Sequence, residues 1–133
     1  MDDIEVSTAD DTVRIGIRFT IPLRYLRHFP PTKGEILSVY LQSVSGEDLR
    51  EILGHPPLDE VRRAPRNSLL PCFTVTVVPP PDPRGAPLQL LIQFGWPESY
   101  TVRLGEDSRS LYVSLPAQAE GRPAGGCNGR PKK

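Results

Sequence analysis

Five residues have the chemistry to grip an anion: Arg24, Arg27 and His28 in one segment, and Arg103 and Arg109 in another. A guanidinium is a planar fork of N–H donors that meets carboxylate or phosphate oxygens two at a time. Lys33 follows the first group, and Arg62, Arg63 and Arg66 lie between the two. Brought together, such residues would hold an anionic or polysaccharide ligand; spread apart, they are the ordinary polar face of a domain. Nucleophilic and acid–base chemistry is less well served. The acid pairs Glu47/Asp48, Asp59/Glu60 and Glu106/Asp107 stand at a helix start, in a connection and in a turn, where carboxylates cap or are solvated. Gly-x-Ser-x-Gly, phosphate-loop and His-Glu-x-x-His patterns are missing. His28 and His55 have no Cys or acid at ligand spacing. The expectation is therefore no enzyme, no metal and no cofactor.

The elements that must position these residues are strands. Val13, Ile15, Ile17, Phe19 and Ile21 alternate with Arg14, Gly16, Arg18 and Thr20, a period of two that marks one buried and one wet face. Pro22 interrupts, and residues 23–29 continue to the turn Pro30-Pro31-Thr32-Lys33-Gly34. A third strand follows, with Leu37, Val39 and Leu41 on one face. The unit then recurs. Phe19, Pro22 and Tyr25 fall on Phe94, Pro97 and Tyr100; with a one-residue slip, Leu37, Val39 and Leu41 fall on Leu111, Val113 and Leu115. Under this repeat Arg103 maps onto His28, and Trp96 stands where the first copy has Ile21.

Between the copies, Ser45 and Asp48 open a two-turn helix with Leu49, Ile52 and Leu53 at helical spacing, ended by Gly54 and Pro56-Pro57. Phe73, Val75 and Val77 alternate in a further strand, and residues 79–85 form a proline-rich loop. A meander with one apolar face cannot bury that face alone, but two facing each other can. The fold class expected is all-β with minor α: a small antiparallel β-sandwich of two pseudo-symmetric three-stranded meanders plus one short helix. Residues 1–11 read as a disordered acidic lead-in with at most a short strand around Ile4 and Val6. Residues 12–116 read as the sandwich, and 117–133 as a disordered tail or linker.

A chain of 133 residues suits one domain, and its 16 prolines and 11 glycines favour short strands and many turns over a helical bundle. Lysines and arginines number 16, as do acids, and aromatics for stacking on bases are scarce, so nucleic acid is not an expected partner. Cys72 and Cys127 stand in a strand-like run and a Gly-rich tail, which is no disulfide framework. No apolar run reaches the roughly 20 residues of a membrane helix, so no membrane insertion is expected in this segment. Met1-Asp2-Asp3 has neither the basic nor the apolar stretch of an export signal, so the expectation is either a cytoplasmic protein or a periplasmic domain excised from an exported one.

Phe19-x-x-Pro22-x-x-Tyr25 followed by Leu37-x-Val39-x-Leu41 forms a pattern. It returns as Phe94-x-x-Pro97-x-x-Tyr100 followed by Leu111-x-Val113-x-Leu115-Pro116. Over roughly residues 12–116 the chain resembles AMIN-type domains and the related β-rich N-terminal modules of bacterial envelope proteins. The resemblance implies a non-enzymatic periplasmic module that localises its parent protein, with peptidoglycan or another envelope protein as partner. The insertion at 45–71 departs from that pattern. Two alternatives stay open beside it: a cytoplasmic location, and a protein-interaction domain that pairs through an edge strand.

Overall fold

The computed structural model of the chain describes residues 3–19, 22–43, 60–63, 70, 73–78, 87–118 and 121–122. These form nine strands: β1 (Asp3–Ala9), β2 (Thr12–Arg18), β3 (Leu23–Phe29), β4 (Lys33–Ser43), β5 (Glu60–Arg63), β6 (Thr74–Val78), β7 (Leu88–Ser99), β8 (Thr101–Leu104) and β9 (Ser110–Pro116). Every pairing is antiparallel. The first sheet runs β1-β2-β9-β8 and the second β3-β4-β7-β6-β5. The helix expected at 45–53, the proline-rich loop at 79–85, Arg66 and both cysteines lie outside the described residues.

The alternating residues meet between the sheets. Val13, Ile15, Ile17, Leu111 and Val113 of the first sheet and Leu37, Val39, Leu41, Leu90 and Ile92 of the second are fully buried. Each such side chain contributes about 1.5–3 kcal/mol relative to exposure. Phe73, Phe94 and Tyr100 meet at one end of the same core, beside the β3–β4 turn, and Phe19 fills the other end, beside the β8–β9 turn. The all-β sandwich is thus as the alternation indicates.

The repeat is present, but its copies are interleaved, which corrects the expectation of two facing meanders. The first strand of each copy leaves its own hairpin and joins the other sheet. β2 pairs with β9, and its counterpart β7 pairs with β4. The registers correspond residue by residue. Val13, Ile15 and Ile17 face Leu115, Val113 and Leu111; their counterparts Leu88, Leu90 and Ile92 face Leu41, Val39 and Leu37. β1 flanks β2 as β6 flanks β7, so the repeat unit has four strands, and β5 is an addition at one edge. The physical reason lies between Phe19 and Leu23. Pro22 has no N–H to extend a ladder, and the chain crosses to the opposite sheet there. The crossing is held by Phe19 N–H to Arg109 O (2.8 Å) and Leu23 N–H to Ser108 O (2.7 Å). In the second copy no break ends the strand. β7 runs to Ser99 and accommodates Phe94 to Pro97 as a bulge, with Gly95 at φ 71°.

Both ends of the sandwich differ from the sequence expectation. The acidic lead-in is strand β1, with Ile4 in the core and Asp3 and Glu5 exposed. A two-residue turn, Asp10–Asp11, joins it to β2. At the other end the chain keeps contacts with the sandwich past residue 116. Ala117 N–H donates to Asp11 O (2.7 Å), and Arg122 is fastened to Glu98.

Candidate functional site

The five residues singled out by chemistry do not converge. Arg24 and Arg27 point outward from β3, opposite Gln42 and Tyr40 of β4. His28, the next residue, points the other way. The cause is a bulge at Leu26, where the β3–β4 register shifts between Tyr25 and Arg27 and the alternation changes parity. The His28 ring accepts from Tyr25 Oη at Nδ1 and donates from Nε2 to Pro31 O (2.9 Å), and it meets the edge of Tyr100. Both ring nitrogens are used to hold the β3–β4 turn, so His28 is a structural pin.

The bulge also corrects the repeat alignment. Arg103 faces Tyr112 on β9, and the β4 counterpart of Tyr112 is Ser38, which faces Phe29. Arg103 therefore corresponds in space to Phe29. It is exposed on the outside of the first sheet, and Arg109 is exposed in the β8–β9 turn. Arg62 and Arg63 belong to β5 at the far edge of the second sheet, and Lys33 is exposed at the start of β4.

The outer faces of the two sheets differ in chemistry. The first carries Asp3, Glu5, Arg14, Arg18 and Arg103 around Tyr112, with the Arg14 guanidinium 4.5 Å from the Tyr112 ring centre. The second, past the β4–β7 bulge, presents Ile36, Ser38, Tyr40 and Gln42 from β4. Gln89, Leu91 and Gln93 come from β7, and Thr74, Thr76 and Val78 from β6. None of these is charged, in a chain that is 24% charged. Pairing sets them in rows: Phe29–Ser38–Leu91–Thr76 and Arg27–Tyr40–Gln89–Val78. Phe29 is 67% and Ile36 52% exposed. Gln89 Nε2 donates to Ser38 Oγ (3.4 Å), which fixes one amide on the surface. Along the β3 edge, Arg27 lies over Tyr40, 4.4 Å from the ring centre, beside Arg24. Such a stack holds the guanidinium plane and leaves its edge donors outward.

A cleft of about 650 Å³ opens at the end of the sandwich where β1 turns into β2. Asp11, Lys33, Tyr100, Ser114 and Pro116 are among its walls, and none of the five chosen residues lines it. Burial pushes the Tyr25 and Tyr100 phenols above their ordinary value, and Tyr100 Oη donates to Pro30 O (2.8 Å). In the β8–β9 turn, the Arg109 backbone N–H donates to Asp107 Oδ1 (2.9 Å) and holds that carboxyl below its usual range.

Sequence reasoning missed the uncharged face, because Tyr40, Gln89 and Leu91 stand on strands far apart in the chain. The alternation of each strand does mark them as outward. It also missed Glu98 and Arg122, a buried ion pair that no local pattern announces. Among the described residues no group of three or more His, Cys, Asp or Glu is placed to hold a metal, and no helix is long and apolar enough to cross a membrane. Comparison of the chain with protein-family models, curated proteins and solved structures returned no match.

Proposed function

We propose that the protein is a non-catalytic binding module whose ligand face is the outer surface of the second sheet. Its ligand would be a cell-wall glycan, and it would localise a bacterial envelope protein in the periplasm. The observation that carries this reading is the composition of that face: exposed Phe29, half-buried Tyr40 beside Arg27, three glutamines, Ser and Thr hydroxyls, no charge among the outward residues of β4, β6 and β7, and Arg24 with Arg27 along one edge. Aromatic rings stack on the C–H faces of sugars, and amides and hydroxyls match sugar hydroxyl and acetamido groups. The edge arginines suit the carboxylates of peptide stems on such a glycan. An open sheet surface of strands about 4.8 Å apart fits an extended polymer better than a compact metabolite.

Edge-strand pairing is the weaker reading. β3 is bulged at Leu26, β5 and β8 have four residues each, and β1 carries Asp3 and Glu5, all features that discourage pairing.

Retention on insoluble purified peptidoglycan tests the proposal. Arg24→Ala/Arg27→Ala and Tyr40→Ala are expected to lower retention roughly tenfold, from loss of charge-assisted bonds and a stacking surface. Arg103→Ala and Arg109→Ala, on the other sheet and turn, leave it unchanged. Retention no higher than that of an unrelated β-sandwich of equal charge overturns the proposal.

A further inference from the structure

Arg122 and Gly121 sit in a site with the features of a peptide receptor. Arg122 forms a bidentate pair with Glu98, from Nε to Oε2 at 2.9 Å and from Nη2 to Oε1 at 2.7 Å. Its remaining donors reach Ala117 O (3.1 Å) and Pro116 O (2.8 Å). Both side chains are buried, 3% and 1% exposed. Only a guanidinium offers two parallel donors to the carboxylate and others to the carbonyls. The preceding residue is read as well. Gly121 has φ +84°, and a Cβ there would come within 3.1 Å of Trp96 Cη2. Two independent constraints thus favour a Gly–Arg dipeptide: a left-handed backbone with a ring close against it, both of which disfavour a side chain, and a buried carboxylate that demands a fork.

The tail contains that dipeptide again in the same context. Gly121-Arg122-Pro123 is followed by Gly129-Arg130-Pro131. A following proline biases each arginine toward extended backbone. We infer that the Trp96–Glu98 clasp is a recognition site for Gly–Arg, and that Gly129–Arg130 of the same chain is its second ligand, exchanging with Gly121–Arg122. Seating the second dipeptide lengthens the closed loop by eight residues, which makes it only roughly fourfold less favourable. A carboxylate left buried and unpaired is far worse, so the site takes whichever arginine is present. This inference is independent of the glycan reading, since the clasp and the uncharged face share no residue.

Thermal unfolding of the full chain tests it. Trp96 fluorescence is a second readout, because the chain has one tryptophan and Gly121 lies against it. Arg130→Ala alone should leave Tm within about a degree. Arg122→Ala should lower it by only a few degrees, because Arg130 substitutes; Arg122→Ala/Arg130→Ala should lower it by roughly 10 °C or more, or fail to fold. Arg122→Ala/Gly129→Ala should match that double variant, since the incoming residue must lack a Cβ. The Trp96 emission of Arg122→Ala should resemble wild type, and that of the two double variants should shift to longer wavelength. Equal losses for Arg122→Ala and Arg122→Ala/Arg130→Ala, or failure of Arg122→Ala itself to fold, overturns the exchange. An Arg122→Ala/Gly129→Ala variant as stable as Arg122→Ala overturns dipeptide recognition in favour of charge alone.

Discussion

Phe19 and Phe94 are counterparts in the interleaved repeat, and truncating each to alanine measures how far that symmetry reaches into energetics. Both rings are buried, at 5% and 2% exposure. Removing a buried phenylalanine costs about 3–5 kcal/mol through lost transfer energy and the cavity left behind. The two sites are not equal, however. Phe94 meets Phe73 at 6.4 Å and Tyr100 at 5.9 Å between ring centres. Among the described residues Phe19 has no such ring partner. Each aromatic pair adds about 0.5–1.5 kcal/mol beyond area burial. Phe94→Ala should therefore be the more damaging, by roughly 1–3 kcal/mol. For a domain of this size, roughly 3–5 °C of Tm corresponds to each kcal/mol. The assay is urea unfolding followed by far-ultraviolet dichroism, with the slope against denaturant monitored to confirm that the unfolded reference is unchanged. A cost for Phe19→Ala below about 1 kcal/mol would refute the reasoning. It would mean that the β2–β3 crossing is not packed as the β7 bulge is, and that the duplicated unit does not share one core.

The pH dependence has two further signatures. Tyr25 and Tyr100 have folded values raised above 10.0, so their stabilising effect is complete below that pH and is lost as pH rises through the raised values. Tyr100→Phe should lose about 1 kcal/mol at neutral pH with the Pro30 bond, yet show a smaller alkaline loss than wild type in unfolding titrations. Asp107 has the opposite sign. Its folded value lies below 3.8, so the advantage of wild type over Asp107→Asn is present above that pH and vanishes on acidification through the folded value. Gly105→Ala should destabilise the β8–β9 turn by roughly 1–2 kcal/mol, because a Cβ would meet Tyr112 Cε2 at 2.9 Å. A calorimetric Tm equal to wild type would show that Tyr112 swings aside.

Alternation in the sequence determined which face of each strand is buried. Val13, Ile15 and Ile17, or Phe73, Val75 and Val77, need no tertiary knowledge to assign, because a strand's side chains change sides at every residue. The repeat was legible for the same reason: Phe19-x-x-Pro22 and Phe94-x-x-Pro97 are local patterns. Which sheet each strand joins was not legible. Pairing β2 with β9 and β7 with β4 is decided by contacts across most of the chain, and a three-stranded meander satisfies the same alternation. The candidate site divided along the same line. The chemistry of Arg24 and Arg27 was legible, and their common face with Tyr40 follows from the register of β3 on β4. One bulged residue, Leu26, turned His28 to the other side and moved Arg103 out of correspondence with it, and nothing in a period-two pattern announces an extra residue. Glu98 and Arg122 are the extreme case. Each reads alone as a solvated charge, and only the fold brings them to 2.7 Å and removes the water from both.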